Sequence, residues 1–209
     1  MDIIILPAAA PNWKDPFQPN GVAAKRCQAV LRKLLALPEA RTVIIGGWPI
    51  RLDNRVVNLA EVMRSYLVKQ DWRIESQIVL TDSSANCTVE DLNRLLERAE
   101  FASLVAEIEQ LGQKPLIGFA GPRAQFFRAK RLLQASGLSR IIRVPTGERE
   151  VRGIRQYYWQ MVANWTSLVD ATWQGPRGRE MVRRADDRYC RLVVERLGEN
   201  ALVHSVGSL

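Results

Sequence analysis

Five short apolar runs punctuate the first two-thirds of the chain, at residues 2–6, 42–46, 77–81, 116–120 and 140–144. None of them alternates with polar residues, which is the signature of strands covered on both faces by helices in a parallel sheet. Between the first two runs, Ala23, Cys27, Val30, Leu31, Leu34 and Leu35 recur at helical spacing. That stripe predicts a helix lying on a sheet, ended by Pro38. Leu59, Met63, Tyr66 and Leu67 predict a second helix, and Val89, Leu92, Leu96 and Ala99 a third that begins near Thr88. The period of the third blurs over residues 100–103, where a bend or break is expected. A fourth helix is expected from Arg123 to Ala135, stopping before Gly137, which can take the left-handed C-terminal conformation. Repeated strand–helix units of this kind predict a Rossmann-like α/β fold: a doubly wound, five-stranded parallel sheet in a three-layer αβα arrangement.

After Gly147 the pattern changes to two helices with no strand between them. Val151, Ile154, Tyr158, Met161, Val162, Trp165, Leu168 and Val169 form one stripe; Val182, Ala185, Tyr189, Leu192, Val193 and Leu197 form another, with a turn at Gln174-Gly175-Pro176. Each stripe needs a covering surface. The expected organisation is therefore an α/β domain over residues 1–146, a helical extension over 147–198 packed on the core or on a second subunit, and a tail over 199–209.

Charge sharpens this division. Through Pro122, 14 Lys and Arg balance 14 Asp and Glu, whereas from Arg123 onward 16 face 8, so the C-terminal third carries the whole formal charge of +8. A solvated helix surface and a phosphate-facing patch both account for such a stretch. Trp159, Trp173 and Tyr157 lie beside Arg149, Arg152 and Arg155, a combination that also suits base stacking. No nucleic-acid fold signature accompanies them, so packing at an interface, including a homodimer through these helices, is the expected use, and nucleic acid is not the expected partner.

Other features remove function classes. The 47% hydrophobic and 25% charged composition is that of a folded protein. The N-terminal apolar run is only five residues long and has no basic residue before it, so it reads as a buried strand and neither a secretion signal nor a membrane span. Cys27, Cys87 and Cys190 lack CxxC spacing and fit a reducing cytoplasm better than a disulfide framework or a cysteine–zinc site. His204 is the only histidine, which removes most Ser-His and Cys-His hydrolase schemes, and no metal site is expected.

In open parallel sheets ligands bind beyond the C-terminal strand ends, where loops diverge and helix N-termini direct N–H groups into the crevice. The first loop, from Pro7 through Trp13 to Asn20-Gly21, is longer than a minimal connection and is either a functional loop or a stiff surface cover. Gly46 and Gly47 permit a close backbone approach to a ligand or serve as a simple turn. There is no GxGxxG and no GxxxxGK[ST], so neither a dinucleotide fingerprint nor a P-loop is present. Glu61 and Asp82 are the candidate groups to hold a hydroxyl or act as a base. The segment from Thr81 to Asp91 is the densest in polar groups. Thr88 with Asp91 forms a short-acid capping box, and Ser84, Asn86, Thr88 and Glu90 are candidate ligand contacts. Arg123, Gln125 and Arg128 open the helix after the fourth strand, where an anion suits the helix N-terminus. Glu61, Asn86 and Arg123 are expected to converge on one bound molecule.

The order of these elements resembles the YdcF-like family, also called domain of unknown function 218, over residues 2–146. The likeness lies in Lys25-Arg26 on the first helix, Ile44-Ile45-Gly46-Gly47 at the second strand end, Asn58-Leu59-Ala60-Glu61, the polar turn from Ser84 to Asp91, and Arg128-Ala129. Three features depart from the family pattern: Pro7-Ala8-Ala9-Ala10 replaces a glycine turn, Cys87 separates Asn86 and Thr88 where the family has an Asn-Thr pair, and Gln125 stands in place of a histidine. The resemblance implies a Rossmann-like fold, S-adenosylmethionine binding from one branch, and envelope or polysaccharide precursors from others. The combined expectation is a cytoplasmic protein, with no membrane partner, that binds a nucleotide-like or phosphorylated small molecule, with transferase or hydrolase chemistry open. The alternative is a non-catalytic module whose basic, Trp-rich helices bind nucleic acid or a partner protein.

Overall fold

The computed structural model describes residues 1–9, 11–47, 49–52, 55–83, 88–148, 187 and 190–197, giving Thr88, Val89 and Ala124 as backbone only. Seven strands, β1 (Ile3–Pro7), β2 (Arg41–Ile45), β3 (Ile50–Leu52), β4 (Arg55–Val57), β5 (Ile78–Asp82), β6 (Leu116–Ala120) and β7 (Arg140–Val144), alternate with five α-helices. These are α1 (Gly21–Ala36), α2 (Leu59–Gln70), α3 (Thr88–Glu97), α4 (Ala99–Gln110) and α5 (Arg123–Ala135). Five strands form one sheet in the order β5-β2-β1-β6-β7. Every pairing in it is parallel. The expected Rossmann-like sheet is therefore present.

Its central strands are apolar without alternation because both faces are covered. Ile3, Ile5, Val43 and Ile45 point into a core shared with Leu92 and Leu95 of α3, Phe101 of α4 and Leu133 of α5. Ile4, Leu6 and Ile44 point the other way, into a core built with Cys27 and Val30 of α1 and Met63 and Leu67 of α2. Asn20 starts α1 by accepting from the backbone N–H groups of Val22 and Ala23 at 2.9 and 2.8 Å. The chain breaks at Arg98, where α3 gives way to α4, two residues before the stretch 100–103 in which the helical period blurs.

Two features differ from expectation. Gln77 closes a 3-10 helix, Trp72–Gln77, and does not open a strand. Its Nε2 donates to the carbonyls of Leu37 and Ala40 at 3.1 and 3.0 Å, tying the exit of α1 to the entry of β5. A two-stranded antiparallel hairpin, β3–β4, fills the connection between β2 and α2, where the apolar pattern predicts no strand. Residues 190–197 are helical, and there Val193 is fully buried against Ile50 and Val57 of that hairpin, with Trp13, Val62 and Leu197 around it. The apolar stripes assigned to residues 151–169 and to 182, 185 and 189 lie outside the described residues. No helix among the described residues is long and apolar enough to cross a membrane.

Candidate functional site

Counted along the chain, the five sheet strands lie in the order third, second, first, fourth, fifth, so the connections reverse direction between β1 and β6. From β1 the chain leaves toward α1 on one face, and from β6 toward α5 on the other. The crevice opened by that divergence is where ligands of such sheets bind.

On the β2–β5 side, carboxylates crowd the strand ends. Asp82, the last residue of β5, is buried and accepts at Oδ2 from Arg98 Nε and NH2 at 3.0 and 2.7 Å. Glu90, in the first turn of α3, accepts at Oε1 from Arg94 Nε and NH2 at 3.0 and 2.7 Å. Asp91 is 9% exposed. Its Oδ1, like Glu90 Oε2, has no hydrogen-bond partner among the described residues. Burial first, and then the charges of Glu90 and Asp82, hold the Asp91 carboxyl well above the usual carboxylate range, against an opposing pull from Arg94.

The capping box expected of Thr88 and Asp91 needs the Thr88 side chain, which lies outside the described residues. Thr88 is the first residue of α3, and the Asp91 carboxyl packs on the backbone of Gly46 beyond the end of β2. A Cβ on Gly46 would stand 2.8 Å from Asp91 Oδ2, and on Gly47 2.6 Å from Leu59 Cδ1. Both glycines have positive φ, +94° and +82°. The double glycine therefore admits the protein's own side chains, so the close approach expected of a ligand is taken up by Asp91 and Leu59.

Glu61, in the first turn of α2, accepts a hydrogen bond from Thr81 Oγ1 and lies 3.8 Å from Arg64 NH1. Asn58 makes no side-chain cap for this helix, and Ser83 Oγ serves instead, accepting from Ala60 N at 3.0 Å. The end of β5 thus fixes the start of α2, and with it Glu61.

On the β6 side, Pro122 precedes α5 and Arg123 is exposed in its first turn. Gln125 Oε1 is buried with no hydrogen-bond partner among the described residues, 3.3 Å from where a Cβ on Gly121 would lie. Arg128 is half-buried one turn on. Glu61 sits with the α1–α2 face and Arg123 with the opposite one, so one molecule can reach both only by crossing the strand ends. Ser84 and Asn86 lie outside the described residues, as does the side chain of Thr88.

Sequence reasoning missed Arg26. It enters there only beside Lys25 as part of the family likeness, with no role assigned, yet Lys25 is exposed and Arg26 is 3% exposed. Arg26 NH1 donates to the carbonyls of Pro7 and Ala8 at 3.0 and 3.1 Å, at the end of the central strand. Its Nε and NH2 donate to Glu148 Oε1 and Oε2 at 3.1 and 3.0 Å. The signal available was position: Arg26 falls three residues from both Ala23 and Ala29, on the apolar stripe.

No cluster of three or more His, Cys, Asp or Glu suited to a metal ion occurs among the described residues. Comparisons with protein-family models, curated proteins and solved structures found no match to this chain.

Proposed function

We propose that this chain binds a nucleotide-like or phosphorylated small molecule across the C-terminal strand ends. One observation carries the reading: the strand order reverses between β1 and β6, and α5 begins there with Arg123 directly after β6. A helix N-terminus bearing an arginine suits an anionic group. The β2–β5 end, with Glu61, Asp82, Glu90 and Asp91, is rich in acceptors that suit hydroxyl groups. From β5 to β6 is three strand spacings, roughly 14 Å at about 4.8 Å each, a span that favours an elongated ligand with hydroxyls at one end and an anion at the other. The YdcF-like resemblance adds S-adenosylmethionine and sugar-nucleotide envelope precursors as ligands to try.

Calorimetric titration with S-adenosylmethionine, nucleotides and sugar nucleotides tests the proposal. At least one is expected to bind. Arg123→Ala is expected to weaken a phosphorylated ligand about tenfold or more, the worth of a charge-assisted hydrogen bond. Glu61→Gln is expected to weaken a ligand that carries a sugar. Folded protein that binds none of these compounds refutes the reading.

A further inference from the structure

Glu148 is reached by an unusual path. Sheet order places β7 two strands from β1, with β6 between them. The chain leaves β7 at Val144, and four residues later the Glu148 carboxylate is bonded to Arg26 beside the Pro7 and Ala8 carbonyls at the end of β1. Two strand spacings are roughly 10 Å, within the roughly 13 Å that four residues can reach, so a turn in the segment still leaves enough length. Residues 145–148 therefore pass over the end of β6 and bring a carboxylate to the place where the sheet reverses.

The receiving group is built before Glu148 arrives. Two NH1 hydrogens of Arg26 are directed to backbone carbonyls, which fixes the guanidinium plane and leaves Nε–H and NH2 as a two-pronged fork. That fork matches two oxygens of a carboxylate or a phosphate equally well. Thr146 Oγ1 holds the carboxylate in register by donating to Glu148 Oε1 at 2.7 Å. Gly147 between them has a φ of +68°, the left-handed turn that lets the segment fold back on itself.

We propose that Arg26 is the oxyanion-binding side chain of the strand-end crevice, and that Glu148 is a built-in occupant that the phosphate or carboxylate of a ligand displaces. The inference rests on the reading that this crevice holds a ligand, and adds to it how that ligand is admitted. A buried arginine left without an anion is strongly unfavourable, so Glu148 departs only when another oxyanion takes its place. The apparent affinity of any such ligand is lowered by the fraction of molecules in which Glu148 is seated.

The test follows the Arg26 Nε–H resonance while inorganic phosphate and, separately, acetate are titrated into the full chain, as wild type, Glu148→Gln and Arg26→Lys/Glu148→Gln. In the wild type one of the two anions is expected to shift the resonance weakly. In Glu148→Gln the same anion is expected to bind about tenfold or more tightly, because it no longer competes with a seated carboxylate. The double variant is expected to lose the gain. A response to phosphate alone identifies a phosphorylated ligand, and a response to acetate alone a carboxylate. A wild-type Arg26 signal that neither anion moves overturns the proposal even if Glu148→Gln binds phosphate, since Glu148 is then a permanent partner and the anion only fills a void. A folded Glu148→Gln that binds no more tightly than wild type overturns it too. If Glu148→Gln does not fold, Thr146→Ala, which loosens the carboxylate without removing it, decides on the same criterion: tighter binding supports the proposal and equal binding ends it. A nucleotide that binds through Arg123 and leaves Arg26 silent defeats this inference alone, whereas binding of no compound at either arginine defeats the crevice reading as well.

Discussion

Replacing Asp91 with asparagine makes stability respond to pH in a direction set by where that carboxyl lies. Asp91 is buried on Gly46, its Oδ1 is unpartnered among the described residues, and Glu90 and Asp82 stand nearby. All three features disfavour the carboxylate, so the folded protein holds the proton to a higher pH than the unfolded chain does. Below the ordinary carboxylate range both states are protonated and the group contributes nothing. As pH rises through that range the unfolded chain releases its proton and the native state does not. Stability then falls by up to about 1.4 kcal/mol per pH unit, the slope of one proton, until the native carboxyl itself ionises. Asparagine cannot titrate, and over this window it replaces one neutral group by another, leaving the field on Glu90 and Asp82 unchanged. Their contributions cancel between the two proteins. Urea unfolding of wild type and Asp91→Asn, repeated at pH values from about 4 upward, is expected to show the wild type losing ground steadily to the variant before the difference levels off. A difference that stays flat places Asp91 at an ordinary pKa. One that favours the wild type as pH rises means that a cation stabilises the carboxylate, and either result refutes the reasoning.

Gly46→Ala is expected to lower the melting temperature by several degrees. It forces a side chain into a φ of +94° and to within 2.8 Å of the Asp91 carboxylate, and strain of about 1–3 kcal/mol corresponds to roughly 2–4 °C per kcal/mol in a chain of this size. Asp91→Ala should recover part of that loss in the double variant, and strictly additive effects would show that the contact carries no energy. Cys27 is fully buried, and its thiol pKa is pushed up to about 12, chiefly by burial. Maleimide is expected to label it only at the rate of unfolding, and rapid labelling of Cys27 in the native protein would contradict the packing of α1 on the sheet.

The sheet was legible because a parallel strand covered on both faces has nothing polar to show. Ile3, Ile4, Ile5 and Leu6 are all fully buried, and no competing period obscures them. The helices were legible because each lies on one face and keeps a single apolar stripe. The hairpin was not: strands of three residues, Ile50–Leu52 and Arg55–Val57, are too short for alternation to register, and two of those six residues are arginines. Within the site, the strand-end position of Glu61, Asp82 and Arg123 followed from the βα pattern alone. The partners did not, because each is a long-range fact. Asp91 offers its own helix a plausible cap, and only the tertiary fold shows that Gly46 leaves room for it. Arg26 drew no reading of its own because an arginine on a helix is usually solvated, and its counter-charge lies 122 residues away.

These buried pairs limit what can bind. Arg98 with Asp82, Arg94 with Glu90, and Arg26 with Glu148 each neutralise a charge at the strand ends from within the chain, and burial holds the Asp91 carboxyl well above the usual carboxylate range. A ligand that simply adds a charge to this set leaves it uncompensated in a poorly solvated place, at a cost of several kcal/mol. A ligand that replaces an internal partner leaves the balance unchanged. Of the three pairs, Arg94 and Arg98 have half-exposed side chains, so water already screens them and little is gained by exchanging their partners. Arg26 and Glu148 are both buried, with side-chain exposures of 4% and 7%. Exchange there conserves charge and bidentate geometry, and its main energetic cost is the release of the short segment 145–148 from the end of β6. That makes Arg26 the position where an incoming oxyanion meets the smallest electrostatic penalty.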